Sequence, residues 1–183
     1  MAERREAYAK TRSLCTLQSD SQAGCDSFGL AHALVKGEIV MSTEENKALI
    51  RRLFEEGLNQ NKPGVIDELL APDFVIYDPP PGTQPGPEGF RKAVAMFRTA
   101  FPDLHVTFEA EFADGDYVMH RGYLTGTHRG EWLGIPPTGK QFKMNVLDIW
   151  RVANGKGVEN WVQMDMLGLM QQLGVVPTPA QVR

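Results

Sequence analysis

From Leu104 to Phe112 apolar and polar residues alternate without interruption: Leu104, Val106, Phe108, Ala110 and Phe112 against His105, Thr107, Glu109 and Glu111. A period of two is the signature of a strand with one buried face and one wet face. Asp114-Gly115-Asp116 follows as a hairpin turn. Tyr117 to His128, Gln141 to Val152 and Val158 to Met164 are also patterned as strands, and Asn154-Gly155-Lys156-Gly157 turns the chain between the last two. The C-terminal half is thereby committed to a meander of about four long antiparallel strands.

What precedes the meander reads as helix. Ser42 opens S-T-E-E, a capping box in which Ser42 and Glu45 satisfy each other's free amides. Ile50, Leu53, Phe54, Gly57 and Leu58 then recur on one helical face. Pro63 suits the first position of a short second helix with Ile66, Leu69 and Leu70, which Pro72 ends. Phe74 to Tyr77 is a short strand. Asp78 to Gly89, D-P-P-P-G-T-Q-P-G-P-E-G, is a loop because its prolines lack amide donors, and it would suit a lid. A third helix presents Phe90, Val94, Phe97 and Phe101. A closing helix carries Leu167, Leu169, Met170 and Leu173, with Gly174 as its cap and Pro177 just beyond.

This order predicts an α+β fold: a curved, mainly antiparallel sheet with about three N-terminal helices packed on one face. A cavity between the two layers is a natural pocket for an apolar ligand. The domain spans residues 41–176, with a tail at 177–183. Residues 1–40 show no periodicity and read as a weakly ordered extension. They are not a signal peptide, because no continuous apolar core follows Arg4 and Arg5. The codons for Lys36-Gly37-Glu38 can spell a purine-rich ribosome-binding sequence, so the expectation is that Met41 is the initiator and the extension a mis-assigned start.

A net charge of -4 and a pI near 5.6 argue against a phosphate-tracking surface, so nucleic acid is not an expected partner. No apolar run is long enough to cross a bilayer, so no membrane partner is expected. The two cysteines, Cys15 and Cys25, both lie in the extension. They imply no disulfide framework, and a cytoplasmic location is the expectation. P-loop, G-x-G-x-x-G, G-x-S-x-G and H-E-x-x-H motifs are all missing, which leaves general acid–base chemistry without a cofactor.

Strand parity sorts the candidates for that chemistry. Met144, Val146, Asp148 and Trp150 share one face of a strand whose other face carries Asn145, Leu147 and Ile149, so the strand reads as central. A carboxyl that loses water there has its pKa raised toward the range useful for proton transfer. Asp148 is therefore either a general base or one half of an ion pair with Arg151. His120, Gly122, Leu124, Gly126 and His128 share a face of the preceding strand, but the two histidines are too far apart to hold one ion, so no metal site is expected. His128 opens the Gly- and Pro-rich connection G-T-H-R-G-E-W-L-G-I-P-P-T-G, which also contains Trp132. There it is either a polarising group for a substrate carbonyl or polar surface. Trp161 is either an aromatic wall of the cavity or core filling. Asp165 is either cavity-facing or a helix N-cap. Asn59 and Tyr77 are candidates to line the cavity.

The segments Gly126 to Lys140, Asp148 to Arg151 (D-I-W-R) and Asn154 to Trp161 (N-G-K-G-V-E-N-W), with Asp165 and Leu169 to Gly174, together resemble the SnoaL-like polyketide cyclase family. This family is often labelled ester cyclases and belongs to the nuclear-transport-factor-2-like superfamily. The resemblance runs from about Met41 to Gly174. It implies a cone-shaped α+β barrel, usually a homodimer, which closes a ring in a hydrophobic carbonyl substrate by intramolecular aldol condensation without a cofactor. Asp148, in the segment matching the family's D-x-x-R, is the implied acid/base, and His128 the implied supporting group. Trp161, His120, Asp165, Asn59, Tyr77 and Trp132 are the expected substrate-binding residues. Asn160 departs from the pattern, since many relatives place a histidine there. The alternative is a non-catalytic module binding a small hydrophobic ligand on the same fold. A third reading, water activation by two carboxylates, needs Asp165 to face inward.

Overall fold

A computed structural model describes residues 34–35, 38–39, 41–77, 79 and 82–178. Of the extension only two short antiparallel strands are described, β1 (Leu34–Val35) and β2 (Glu38–Ile39). The expectations of a weakly ordered extension and of a start at Met41 concern residues that lie mostly outside the described ones. So do Asp78, Pro80 and Pro81 of the expected lid, and residues 179–183 of the tail.

Helix α1 (Thr43–Arg52) begins with the expected capping box: Ser42 N donates to Glu45 Oε2 at 2.8 Å, and Glu45 N to Ser42 Oγ at 3.3 Å. At Leu53 the coil widens into a seven-residue π-helical segment, Leu53–Asn59, which keeps the predicted apolar set Leu53, Phe54, Gly57 and Leu58 buried. Its end is anchored twice. The Arg98 guanidinium donates to the carbonyls of Leu58, Asn59 and Leu104. The Asn59 side chain exchanges two hydrogen bonds with the backbone of Val106, at 3.0 and 2.8 Å.

Helix α2 (Pro63–Leu69) leads directly into β3 (Leu70–Tyr77). The strand thus starts four residues before the predicted one and runs through Pro72. The reason is its place at the sheet edge. It pairs with its neighbour at Leu70 and again from Val75 onward, so Pro72 lies where the ladder needs no amide. Helix α3 (Gly86–Ala100) likewise begins inside the stretch read as loop, because Pro87 falls in its first turn, where helical amides are unpaired anyway.

The remaining elements are β4 (His105–Asp114), β5 (Tyr117–Thr127), β6 (Gln141–Ala153), β7 (Lys156–Met164) and α4 (Met166–Leu173). The last helix ends at Gly174, whose φ of 78° is the left-handed conformation a glycine cap supplies. The sheet order is β3-β7-β6-β5-β4, antiparallel except for the β3–β7 pair. This is the predicted α+β arrangement, with β6 in the middle of the sheet. Phe142, Met144, Val146, Trp150 and Val152 of β6 pack inward, while Leu147 on its other face is 42% exposed. No helix among the described residues is long and apolar enough to cross a membrane.

The alternation over Leu104–Phe112 does not survive intact. Phe108 pairs with Gly122, but Ala110 already pairs with Arg121, so the ladder slips by one residue at Glu109. This is a β-bulge, and everything beyond it changes face. Phe112 becomes 58% exposed, and Glu111 turns inward. Gly122 permits the bulge: a Cβ there would lie 2.1 Å from the Thr107 carbonyl oxygen.

Candidate active site

The inner faces of β4–β7 and the sides of the π-helical segment and α3 line a narrow cavity of about 70 Å³. Its wall is almost wholly apolar, with Phe54, Phe90, Phe97, Val146 and Met164 among the lining residues. Among the described residues its only side chains with a carboxyl, amide or indole group are Asp148, Asn160 and Trp150.

Asp148 is 2% exposed and reaches this wall from the middle of β6. Its partner is not Arg151, which points to the other side of the sheet and pairs with Glu159. The register of β5 and β6 sets Asp148 opposite His120. Their side chains meet with Oδ1 and Nδ1 3.2 Å apart. His120 is itself buried, stacked on Phe108 at 4.1 Å between ring centroids. Its Nε2 lies 2.7 Å from Glu111 Oε1, and Glu111 is held in turn by the half-exposed Arg51. Carboxylate, imidazole, carboxylate and guanidinium thus form an unbroken chain from the cavity wall to the protein surface.

Burial pushes the Asp148 carboxyl above its ordinary value, while the hydrogen bond and charge of His120 pull it back. The Trp150 indole lies close enough to lower it slightly, yet its N–H has no hydrogen-bond partner and is buried. Asn160, opposite Trp150 in the β6–β7 ladder, donates from Nδ2 to the Ile149 carbonyl at 3.2 Å.

The other sequence candidates stand elsewhere. His128 lies just past the end of β5, eight residues from His120, about 26 Å along an extended chain. It is fully buried as the clasp of its loop: Nδ1 accepts from Thr138 N at 3.3 Å and faces Thr138 Oγ1 at 3.1 Å. Burial pushes its imidazole below the ordinary histidine value. Trp132 packs beside it against Phe97 and Phe101 and does not line the cavity. Trp161 stacks on Tyr77, with centroids 4.9 Å apart and rings 8° from parallel, away from the cavity. Asn59 belongs to the anchor of the π-helical segment. Asp165 caps α4 by accepting from Gly168 N at 2.8 Å, so it does not supply the inward carboxylate that the water-activation reading required. Among the described residues no three His, Cys, Asp or Glu side chains converge to hold a metal ion.

The second carboxylate near Asp148 is Glu111, which alternation had assigned to the wet face. One signal in the sequence does point to it. Counting pairs outward from the Asp114-Gly115-Asp116 turn sets 114 against 117 and 111 against 120. Val118 and His120 must face the core, so Glu111 must too; the apolar run further up the strand demands the opposite parity. Only a bulge reconciles the two.

The SnoaL-like polyketide cyclase family model matches residues 48–173. The chain belongs to this family. It is 32% identical over 146 residues to the aklanonic acid methyl ester cyclase DnrD of Streptomyces peucetius, covering 76% of this chain and 97% of that one. It is 28% identical over 120 residues to the nogalonic acid methyl ester cyclase of Streptomyces nogalater, covering 63% and 88%. Among solved structures it superposes on TsrD from Streptomyces laurentii with a TM-score of 0.67 at 29% identity, over 74% of this chain and 99% of that one. It superposes on IdmH, a putative polyketide cyclase from Streptomyces antibioticus, with a TM-score of 0.62 at 35% identity, over 71% and 99%. In this SnoaL-like chain the matched span contains every residue of the Asp148–His120–Glu111–Arg51 chain.

Proposed function

We propose that this SnoaL-like protein is a cofactor-independent ester cyclase that closes a ring in a hydrophobic polyketide-type ester by intramolecular aldol condensation. The observation that carries this reading is Asp148: one carboxyl in an apolar cavity, aligned by a histidine and pushed toward the range where a carboxyl exchanges protons at neutral pH. The similarity to methyl ester cyclases supports the substrate class.

In this reading Asp148 takes a proton from a carbon flanked by two carbonyls. The resulting enolate carbon attacks a third, more distant carbonyl of the same molecule, forming the ring C–C bond as the C=O π bond opens, and the new alkoxide recovers the proton from Asp148. His120 holds the carboxylate in place. The unpartnered Trp150 N–H beside it is the donor for the enolate oxygen, a charge that a dry site stabilises well. His128, expected from the resemblance as the supporting group, keeps its loop closed instead. We also assign the protein a cytoplasmic location and a homodimeric state, the latter through the sheet's outer face, where Tyr77, Tyr117 and Leu147 are exposed.

The test is enzyme-dependent deuterium uptake from heavy water into a panel of β-keto esters and polyketide-like methyl esters, wild type against Asp148→Asn. Uptake lost in the variant while ligand affinity persists supports the cyclase. A ligand that binds both proteins without exchange in either would favour a binding module.

A further inference from the structure

We propose that Glu111 is the positioning residue of this site: it keeps a proton on the outer nitrogen of His120, so that the inner nitrogen shares its own with Asp148 and holds that carboxyl ionised as the base. The inference rests on the proposed acid–base reading and deepens it.

Two hydrogen bonds flank the imidazole, Glu111 Oε1 to Nε2 at 2.7 Å and Asp148 Oδ1 to Nδ1 at 3.2 Å. Each needs one proton between its heavy atoms, and ionised carboxylates bring none. Glu111 also accepts from the Arg51 guanidinium, so it acts as an acceptor on both sides and the proton in the shorter contact belongs to Nε2. A second proton then lies between Nδ1 and Asp148. With that proton on Nδ1, as the proposal has it, the four groups alternate in charge from the cavity outward and sum to zero, an arrangement in which an ionised carboxylate can persist in an apolar wall.

The surroundings leave no substitute for Glu111. His120 is otherwise enclosed by the rings of Phe54 and Phe108. Asp148 is faced by His120 from β5 and Trp150 from its own strand, and among the described residues no other titratable group lines the cavity. Without the charge of Glu111, the nearest charge beyond His120 is the cation of Arg51, which opposes a proton on the imidazole. Asp148 then loses its counter-charge and reverts to the neutral acid that burial favours.

Glu111→Gln preserves size and an acceptor oxygen and removes only the charge, so it separates this role from a structural one. Two readouts decide. Carboxyl carbon NMR, with Asp148 assigned by its disappearance in Asp148→Asn, follows the ionisation of Asp148 without any substrate; in Glu111→Gln its titration moves upward in pH. On a substrate that wild type exchanges, kcat at neutral pH falls roughly 10- to 100-fold while KM stays within about twofold, and the acid limb of the pH profile moves to higher pH. An unchanged Asp148 titration overturns the proposal, and so does a variant whose kcat and acid limb match wild type. Should no substrate exchange with wild type, the cyclase reading fails while the NMR readout still decides the role of Glu111. If Glu111→Gln does not fold, Glu111→Ser, which admits water in place of the carboxylate, is judged by the same readouts.

Discussion

Glu111 and His120 face each other across β4 and β5 with Oε1 and Nε2 2.7 Å apart, although a strict alternation would set Glu111 on the opposite side of the sheet. The one-residue slip at Glu109 brings them together. A buried histidine thereby gains a second carboxylate, and a cavity carboxyl gains a connection to the surface.

Stability should depend on pH through Asp148. The folded-state pKa of Asp148 is raised above its ordinary value of 3.8, so the native protein holds this proton more tightly than the unfolded chain does. The contribution is present below the ordinary value and is lost as pH climbs through the raised one. Asp148→Asn has no such loss. Thermal midpoints measured across a pH series should show the variant gaining on wild type as pH rises. A constant difference between the two would show that Asp148 is not the source.

The two buried histidines, His120 within β5 and His128 just beyond its end, should separate by role. His128→Gln breaks the loop clasp and costs about 1–3 kcal/mol of stability, with turnover per folded molecule unchanged. His120→Gln abolishes most turnover instead, because Asp148 loses its partner. Denaturant melts combined with exchange kinetics distinguish them.

Gly122→Ala should harm both stability and activity. Its Cβ would collide with the β4 backbone at the bulge, and relieving that overlap costs about 1–3 kcal/mol. The relief displaces Glu111. A variant with wild-type stability and activity would mean that the strands part without disturbing the bulge.

Asp165→Ala removes the cap of α4 and is expected to cost about 1 kcal/mol with ligand affinity intact. Isothermal titration with a cavity ligand checks it. A large drop in affinity at wild-type stability would return Asp165 to the binding site.

Leu147→Lys places a charge at the centre of the exposed outer face and should yield a folded monomer in sedimentation. A protein that sediments as before would move the interface elsewhere.

Periodicity and turn chemistry are local, and most of the fold followed from them. The capping box at Ser42, the cap at Gly174, the Gly115 turn and the central strand bearing Asp148 each depend on residues within a few positions of one another. The buried face of β6 follows from a period of two, and with it the placing of a carboxyl among apolar neighbours. What needed tertiary structure was every relationship between strands. Trp161 and Asn160 are adjacent, yet one stacks on Tyr77 outside and the other reaches the cavity, a choice made by the register of β7 on β6. The bulge at Glu109 is decided by the competition between two parities, one set by the turn and one by the apolar run, which neither segment reveals alone. The α+β class and the buried carboxyl were legible from local pattern alone, because side-chain period and turn preference act over short range. Only the packed sheet decided that His120 and Glu111, rather than His128, stand beside that carboxyl, because hydrogen-bonded register is settled between segments distant in the chain.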